Sequence, residues 1–357
     1  MRPPNSLRRW IRQNLFSGPW STGTTLILVA MALYVLPGLL QWALTNAILK
    51  ADAEACQALE HGGACWGVVT EKYRVILFGR YPYAEQWRPL LATSLLLVLI
   101  VGTSLRLQRT VVLISWALMV PIFFVLMGGG RLGLSPVGTD QWGGFPLTLL
   151  LTMGGMVLAL PLAIAVALGR HQTRLPLLRA LCAMYVEVVR GVPLISVLFL
   201  ASFLFPIILP HGFSIDVLLR VQAGIVLFAA AYLAETVRGG LQSVSRDQHE
   251  AAAALGLRHW QAIRWIILPQ AIRGVIPSIM NSAVSIYKDT SLVTVVSLYE
   301  LTGALSLALS GDAQWRSFYL EAYLFIGAIY WIGCYAMSRF SLGLEGRLGI
   351  GEKSALT

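Results

Sequence analysis

Charge is what this chain has least of. Only 12% of its 357 residues are Asp, Glu, Lys or Arg, against about 25% in a soluble domain, which excludes an ordinary soluble fold of this length. Catalytic and nucleotide motifs are missing as well. No H-E-x-x-H, C-x-x-C or G-x-S-x-G occurs, so no enzyme site can be argued. A P-loop needs G-x-x-x-x-G-K followed by Ser or Thr between a strand and a helix. The nearest approach is 346–354, where Glu352 separates Gly351 from Lys353 and no strand precedes, so the chain is not expected to bind ATP itself. The alternating segments of a transmembrane barrel are absent, as are the internal repeats common in secondary transporters. No aromatic-interleaved basic patch supports nucleic-acid binding. No cleavable signal peptide is evident, because roughly the first twenty residues are polar and basic.

What is there is apolar. Hydrophobic residues make up 57% of the chain and mean hydropathy is +0.70. They come in long runs, which predicts an all-α polytopic membrane protein with about eight spans, at about 24–48, 90–105, 111–127, 145–169, 193–209, 221–238, 276–298 and 318–339. The net charge of +10 follows topology. Arg2, Arg8, Arg9 and Arg12 precede the first span, Arg106 and Arg109 join the second and third, Arg170, Arg174, Arg179 and Arg190 the fourth and fifth, and Arg238, Arg246, Arg258, Arg264 and Arg273 the sixth and seventh. With eight spans these groups share one side, the cytoplasm, and both termini lie there. The first external loop is the exception, with basic and acidic residues mixed. Trp10, Ile11 and Leu15 among the N-terminal arginines suit either a short interfacial helix or a disordered tail.

Four cysteines are present. Cys182 and Cys334 lie in or near apolar runs and read as small hydrophobes. Cys56 and Cys65 share the first external loop with His61 and can form a disulfide if that loop meets an oxidising compartment. Ligands there are too few for a closed metal site, and no metal is expected.

The most informative stretch is 250–269, E-A-A-A-A-L-G-L-R-H-W-Q-A-I-R-W-I-I-L-P. Its alanines favour a helix that other surfaces can approach closely, Gly256 can take the left-handed conformation that ends it, and an amphipathic run with Trp260, Ile263 and Ile267 follows before Pro269 disfavours further helix. The order Glu250, Ala251, Ala252, Gly256, Ile266, Leu268, Pro269 meets every fixed position of E-A-A-x3-G-x9-I-x-L-P. In this the chain resembles the permease subunits of ABC importers with the type I fold. The run Lys288-Asp289-Thr290-Ser291-Leu292 resembles the polar-amino-acid, histidine/glutamine permease-like branch, and Arg190-Gly191-Val192-Pro193-Leu194 resembles its R-G-T-P-L signature, with Val192 in place of threonine. The resemblance covers roughly 145–340.

The resemblance implies a permease core at 145–340, preceded by an extension (1–144) with three membrane helices and an external loop, and followed by a cytoplasmic tail (341–357). It implies that Glu250, Ala251, Ala252, Gly256, Leu268 and Pro269 couple to a separate ABC ATPase dimer, which holds ATP and Mg; this chain would bind no cofactor. A second permease, either a different and shorter one or a second copy of this chain, and a soluble or anchored amino-acid-binding protein complete the implied importer in the bacterial inner membrane. Candidates for the substrate path or gate are Lys288, Asp289, Thr290, Ser291, Asn281, Glu235 and Arg190. Each has a packing alternative. An intramembrane lysine needs a partner whether or not it meets substrate, and Glu235–Arg238 and Glu187–Arg190 have helical spacing for ion pairs. A secondary amino-acid transporter and a non-transporting membrane subunit are the rival readings.

Overall fold

A computed structural model describes residues 7–58, 62–104, 109–171, 175–208, 210 and 214–348. Helices are the regular elements among these residues, and extended pairing is confined to the isolated bridges Ile48–Cys65 and Gly144–Glu300. In order come α1 (Leu7–Leu15), α2 (Pro19–Leu40) with a π turn at Gln41–Thr45, α3 (Ala53–Ala58), α4 (Gly67–Phe78), α5 (Trp87–Ser104), α6 (Arg109–Gly128), α7 (Gly144–His171), α8 (Pro176–Arg190), α9 (Leu194–Phe199), a π turn at Leu200–Leu204, and α10 (Phe205–Ile208). Then follow α11 (Val217–Ser243), α12 (Arg246–Ala254), α13 (His259–Ala262), a π turn at Ile263–Ile267, α14 (Leu268–Asp289), a 3-10 helix at Thr290–Val296, α15 (Leu301–Ser310) and α16 (Tyr319–Leu348). Residues 349–357 of the expected tail, with Arg2, Glu60, His61, Arg106 and Arg174, lie outside the described residues.

Among the described residues six helices are long and apolar enough to cross a membrane, and α8 with α9–α10, bent by 105°, makes a seventh if the pair is one span. The expected span at 276–298 falls on α14 and the 3-10 helix after it. That segment is helical but not apolar enough to count by composition, because Ser278, Asn281, Ser285 and Lys288 interrupt it. The expected span at 193–209 is the second limb of the bent pair.

The chain forms two compact units, Met1–Glu71 with Gln314–Ala322, and Lys72–Ala313 with Tyr323–Thr357. In the first, the Sγ atoms of Cys56 and Cys65 are bonded, with Cα atoms 5.6 Å apart. Cys65 N–H donates to Glu321 Oε1 at 3.0 Å, and Trp66 Nε1–H donates to the Ala43 carbonyl at 2.9 Å.

In the second unit α7 and α11 form the centre. Lipid offers no hydrophobic drive for helix pairing, so close backbone approach decides the seam. The buried faces are accordingly rich in small residues: Gly155, Ala159, Ala163 and Ala167 on α7, and Gly224, Ala229, Ala230, Ala231, Ala234 and Gly240 on α11. At Gly240 an added Cβ would lie 2.7 Å from the Ala271 carbonyl of α14, so only glycine permits this crossing. The glycine-rich stretch after α6 is tied down rather than loose. Fully buried Arg88 donates to the Leu126 carbonyl at 2.8 Å and the Ser135 carbonyl at 2.9 Å, and Tyr81 Oη–H donates to the Met127 carbonyl at 2.9 Å.

Candidate functional site

The 250–269 stretch folds into a short helix with a sharp end. Ser245 has extended backbone ahead of α12, and Asp247 in the first turn suits the positive end of the helix dipole. At the other end Gly256 has φ +72°. Leu257 N–H donates to the Ala252 carbonyl at 3.1 Å and Gly256 N–H to the Ala253 carbonyl at 2.9 Å, the paired bonds of a Schellman stop. Extended Arg258 follows, its N–H donating to Gln261 Oε1 at 2.9 Å, which starts α13. Pro269 does not end the helical run as its chemistry suggested. The π turn precedes it, closed by Leu268 N–H on the Ile263 carbonyl, and this local widening of the helix lets the run continue past the missing proline N–H.

This element is clamped on one side and open on the other. Ile267 and Ala271 are buried with Ala167 of α7 and with Val237 and Leu241 of α11, and Gln270 Nε2–H donates to Gln248 Oε1 at 3.1 Å. Of the expected coupling residues, Ala252 is fully buried and holds the helix in place, and Leu268 is half-buried. Glu250, Ala251, Gly256 and Pro269 are exposed. Beside them lie Leu255, 76% exposed, and Trp260, 55% exposed. Trp260 therefore does not share the buried face of Ile263 and Ile267, as its spacing suggested.

Near this loop Glu235 gathers arginines from three helices. Arg170, at the end of α7, donates to Glu235 Oε2 at 2.8 Å, and Arg190, at the end of α8, lies 3.9 Å from the same oxygen. Arg238 donates to Oε1. Glu187 meets Arg170 at 3.4 Å, so the expected i,i+3 partner Arg190 has turned to Glu235 and to the Tyr232 ring, 5.4 Å away. Arg190 and Glu235 are thus together in an ion network that joins α7, α8 and α11.

The other path candidates divide. Asn281 and Lys288 are exposed on α14 in one stripe with Ser278 and Ser285, at helical spacing. Lys288 and Ser291 also line a cleft of about 330 Å³ with Thr302, Tyr323, Ile326, Gly327 and Tyr330. Asp289 is half-buried on another side, beside Leu194, Ile225, Phe228 and Ile286. Thr290 is buried, its hydroxyl donating to the Tyr287 carbonyl at 2.8 Å. Among the described residues no group of three His, Cys, Asp or Glu could hold a metal ion.

Residues 159–349 match the family described as the binding-protein-dependent transport system inner membrane component. An inner membrane amino-acid ABC transporter permease protein of Escherichia coli strain K12, YhdY, is 39% identical over 96% of this chain and 93% of its own length. The chain belongs to this permease family. A glutamate/glutamine/aspartate/asparagine transport system permease protein of Rhodobacter capsulatus, BztC, is 34% identical over 95% of this chain and 93% of its own. A crystal structure of an amino acid ABC transporter with histidines superposes with a TM-score of 0.51 at 29% identity, over 57% of this chain and 92% of that one. The permease is therefore a multi-pass inner-membrane transport subunit.

Sequence reasoning missed one residue of this permease. Glu300 is wholly buried, with no ion pair to a cation among the described residues. Its carboxylate accepts from Thr302 N–H at 2.9 Å, Gly303 N–H at 3.0 Å, Thr148 Oγ1 at 3.3 Å, Thr294 Oγ1 at 3.2 Å and Tyr330 Oη at 2.7 Å. Donors replace the cation, and the α15 N-terminus adds its dipole. The available signal was an acidic residue directly before the apolar run 301–310, a helix-cap position. Thr148 and Tyr330, far off in sequence, gave none.

Proposed function

We propose that this chain is one of two permeases of an ATP-driven importer of polar amino acids, and that its 250–269 loop seats in a separate ATPase dimer carrying ATP and Mg. One observation carries the reading. The loop is fixed to α7 and α11 on its inner side while Glu250, Leu255 and Trp260 stand exposed on the outer. A rigid element that exposes large apolar side chains suits a protein partner. The amino-acid permease names of the relatives support the cargo class. The solved relative matches little more than half of this chain, which supports a core at 145–340 with an extension at 1–144 and a tail at 341–357, and a partner permease shorter than this one.

In this reading the termini and the loop face the cytoplasm, and the Cys56–Cys65 region faces the side where a binding protein delivers its cargo. Nucleotide binding draws the two ATPase subunits together. Because α12 is tied through Gln248 to Gln270, and Ile267 and Ala271 are packed on α7 and α11, its displacement moves those helices rather than bending the loop. The Glu235 network ties α8 into the same motion. A zwitterion in the membrane needs hydrogen bonds and opposite charge to offset desolvation. Lys288 and Asn281 offer them on the open side of α14, with half-buried Ser291 on the 3-10 helix after it, while Asp289 lies on another side and Thr290 is buried. The polar stripe on α14 is costly against lipid, and a second permease covering it would make that stripe the wall of the path. Linkage requires that a loaded binding protein biases the ATPase as strongly as ATP biases the permease.

The test is uptake of labelled amino acids into vesicles by the assembled complex, with binding protein added or withheld. Glu250→Arg is expected to abolish uptake and ATPase copurification while membrane insertion is unchanged. Normal uptake by this variant at normal expression would overturn the docking assignment.

A further inference from the structure

α1 is an amphipathic helix joined to a membrane helix by a fixed corner. Arg9, Arg12 and Gln13 share one face at i, i+3, i+4 spacing, and Ile11 and Leu15 share the other with Trp10 beside them. All of these but half-buried Ile11 are exposed, Trp10 by 51%. A helix of nine residues is not stable alone in water and needs a surface to fold against. The corner is built from hydroxyls. The Leu15 carbonyl accepts from Ser21 Oγ at 3.1 Å and from Thr25 Oγ1 at 2.8 Å, which ties the end of α1 to the first two turns of α2. Helix α2 is apolar and carries no buried residue, the character of a helix that faces lipid. Phe16 and Trp20, exposed at the corner, are the aromatics that settle at headgroup level.

We propose that α1 lies in the membrane–water interface, with Ile11 and Leu15 in the acyl boundary, and that Arg9 and Arg12 recognise anionic phospholipid headgroups. Charge, amphipathicity and continuity with α2 favour a lipid surface over a protein one. The test is hydrogen exchange of the full-length chain in nanodiscs of phosphatidylcholine alone or with one third phosphatidylglycerol, without partner subunits. The amides of α1 should exchange about tenfold more slowly in the anionic discs, with α2 unchanged as the internal control. The Arg9→Gln/Arg12→Gln variant should lose that difference, and Ile11→Glu should lose protection in both lipids. Equal exchange of the unaltered chain in the two lipids would overturn the proposal, as would a lipid difference that survives the double arginine variant.

Discussion

Arg170 and Glu235 meet at 2.8 Å between the end of α7 and the body of α11, and the same arginine reaches Glu187 of α8 at 3.4 Å. One guanidinium thus joins three helices. Glu235→Gln leaves three arginines facing one another, so the loss of stability should exceed that of Arg170→Gln, about 2–4 against 1–2 kcal/mol. A double-mutant cycle on the detergent-solubilised complex should return a coupling of about 1–2 kcal/mol for the pair. A coupling near zero would show that the contact does not join the helices.

Gly256 ends α12 with φ +72°, and a Cβ added there would meet nothing within 4 Å. Its constraint is therefore backbone conformation, not space. Asparagine tolerates the left-handed region and a β-branched residue does not. Gly256→Asn should retain most ATPase copurification, whereas Gly256→Val should lose it and cost about 1–2 kcal/mol. Equal behaviour of the two would refute a conformational role.

Removing the charge at Glu300 should be expensive. Gln places an N–H₂ where one oxygen now accepts from surrounding donors, so Glu300→Gln should destabilise the permease by about 1–3 kcal/mol. Tyr330→Phe removes a single donor, at 2.7 Å, and should cost less, about 1 kcal/mol. Thermal unfolding in detergent compares them.

The Cys56–Cys65 bond closes a loop across a sequence separation of nine. Without reductant, alkylation should label Cys182 and Cys334 only, the two free cysteines. A Cys56→Ser/Cys65→Ser pair should lower stability by about 2–3 kcal/mol through the unfolded state. Four labelled cysteines in the unreduced protein would show that the bond does not form.

Several parts of this permease were legible in its sequence, for identifiable reasons. Long apolar runs marked the membrane helices because hydropathy is a local property. The spacing from Glu250 to Pro269 marked the loop because helix stops and small residues are local too. Pro269 was misread because a π turn beside it carries the helical run past the missing N–H. Glu187 and Arg190 have ion-pair spacing on α8, yet each met a closer partner on another helix. Glu300 escaped because its donors come from residues 148, 294, 302, 303 and 330, and no window along the chain holds them all.

The wiring around Glu300 limits what can move. Its donors belong to α7, the 3-10 helix after α14, α15 and α16, so separating any two of these would strand a buried anion. Whatever shape changes accompany a transport cycle, these four pieces should travel as one block, and the hinges must lie outside it.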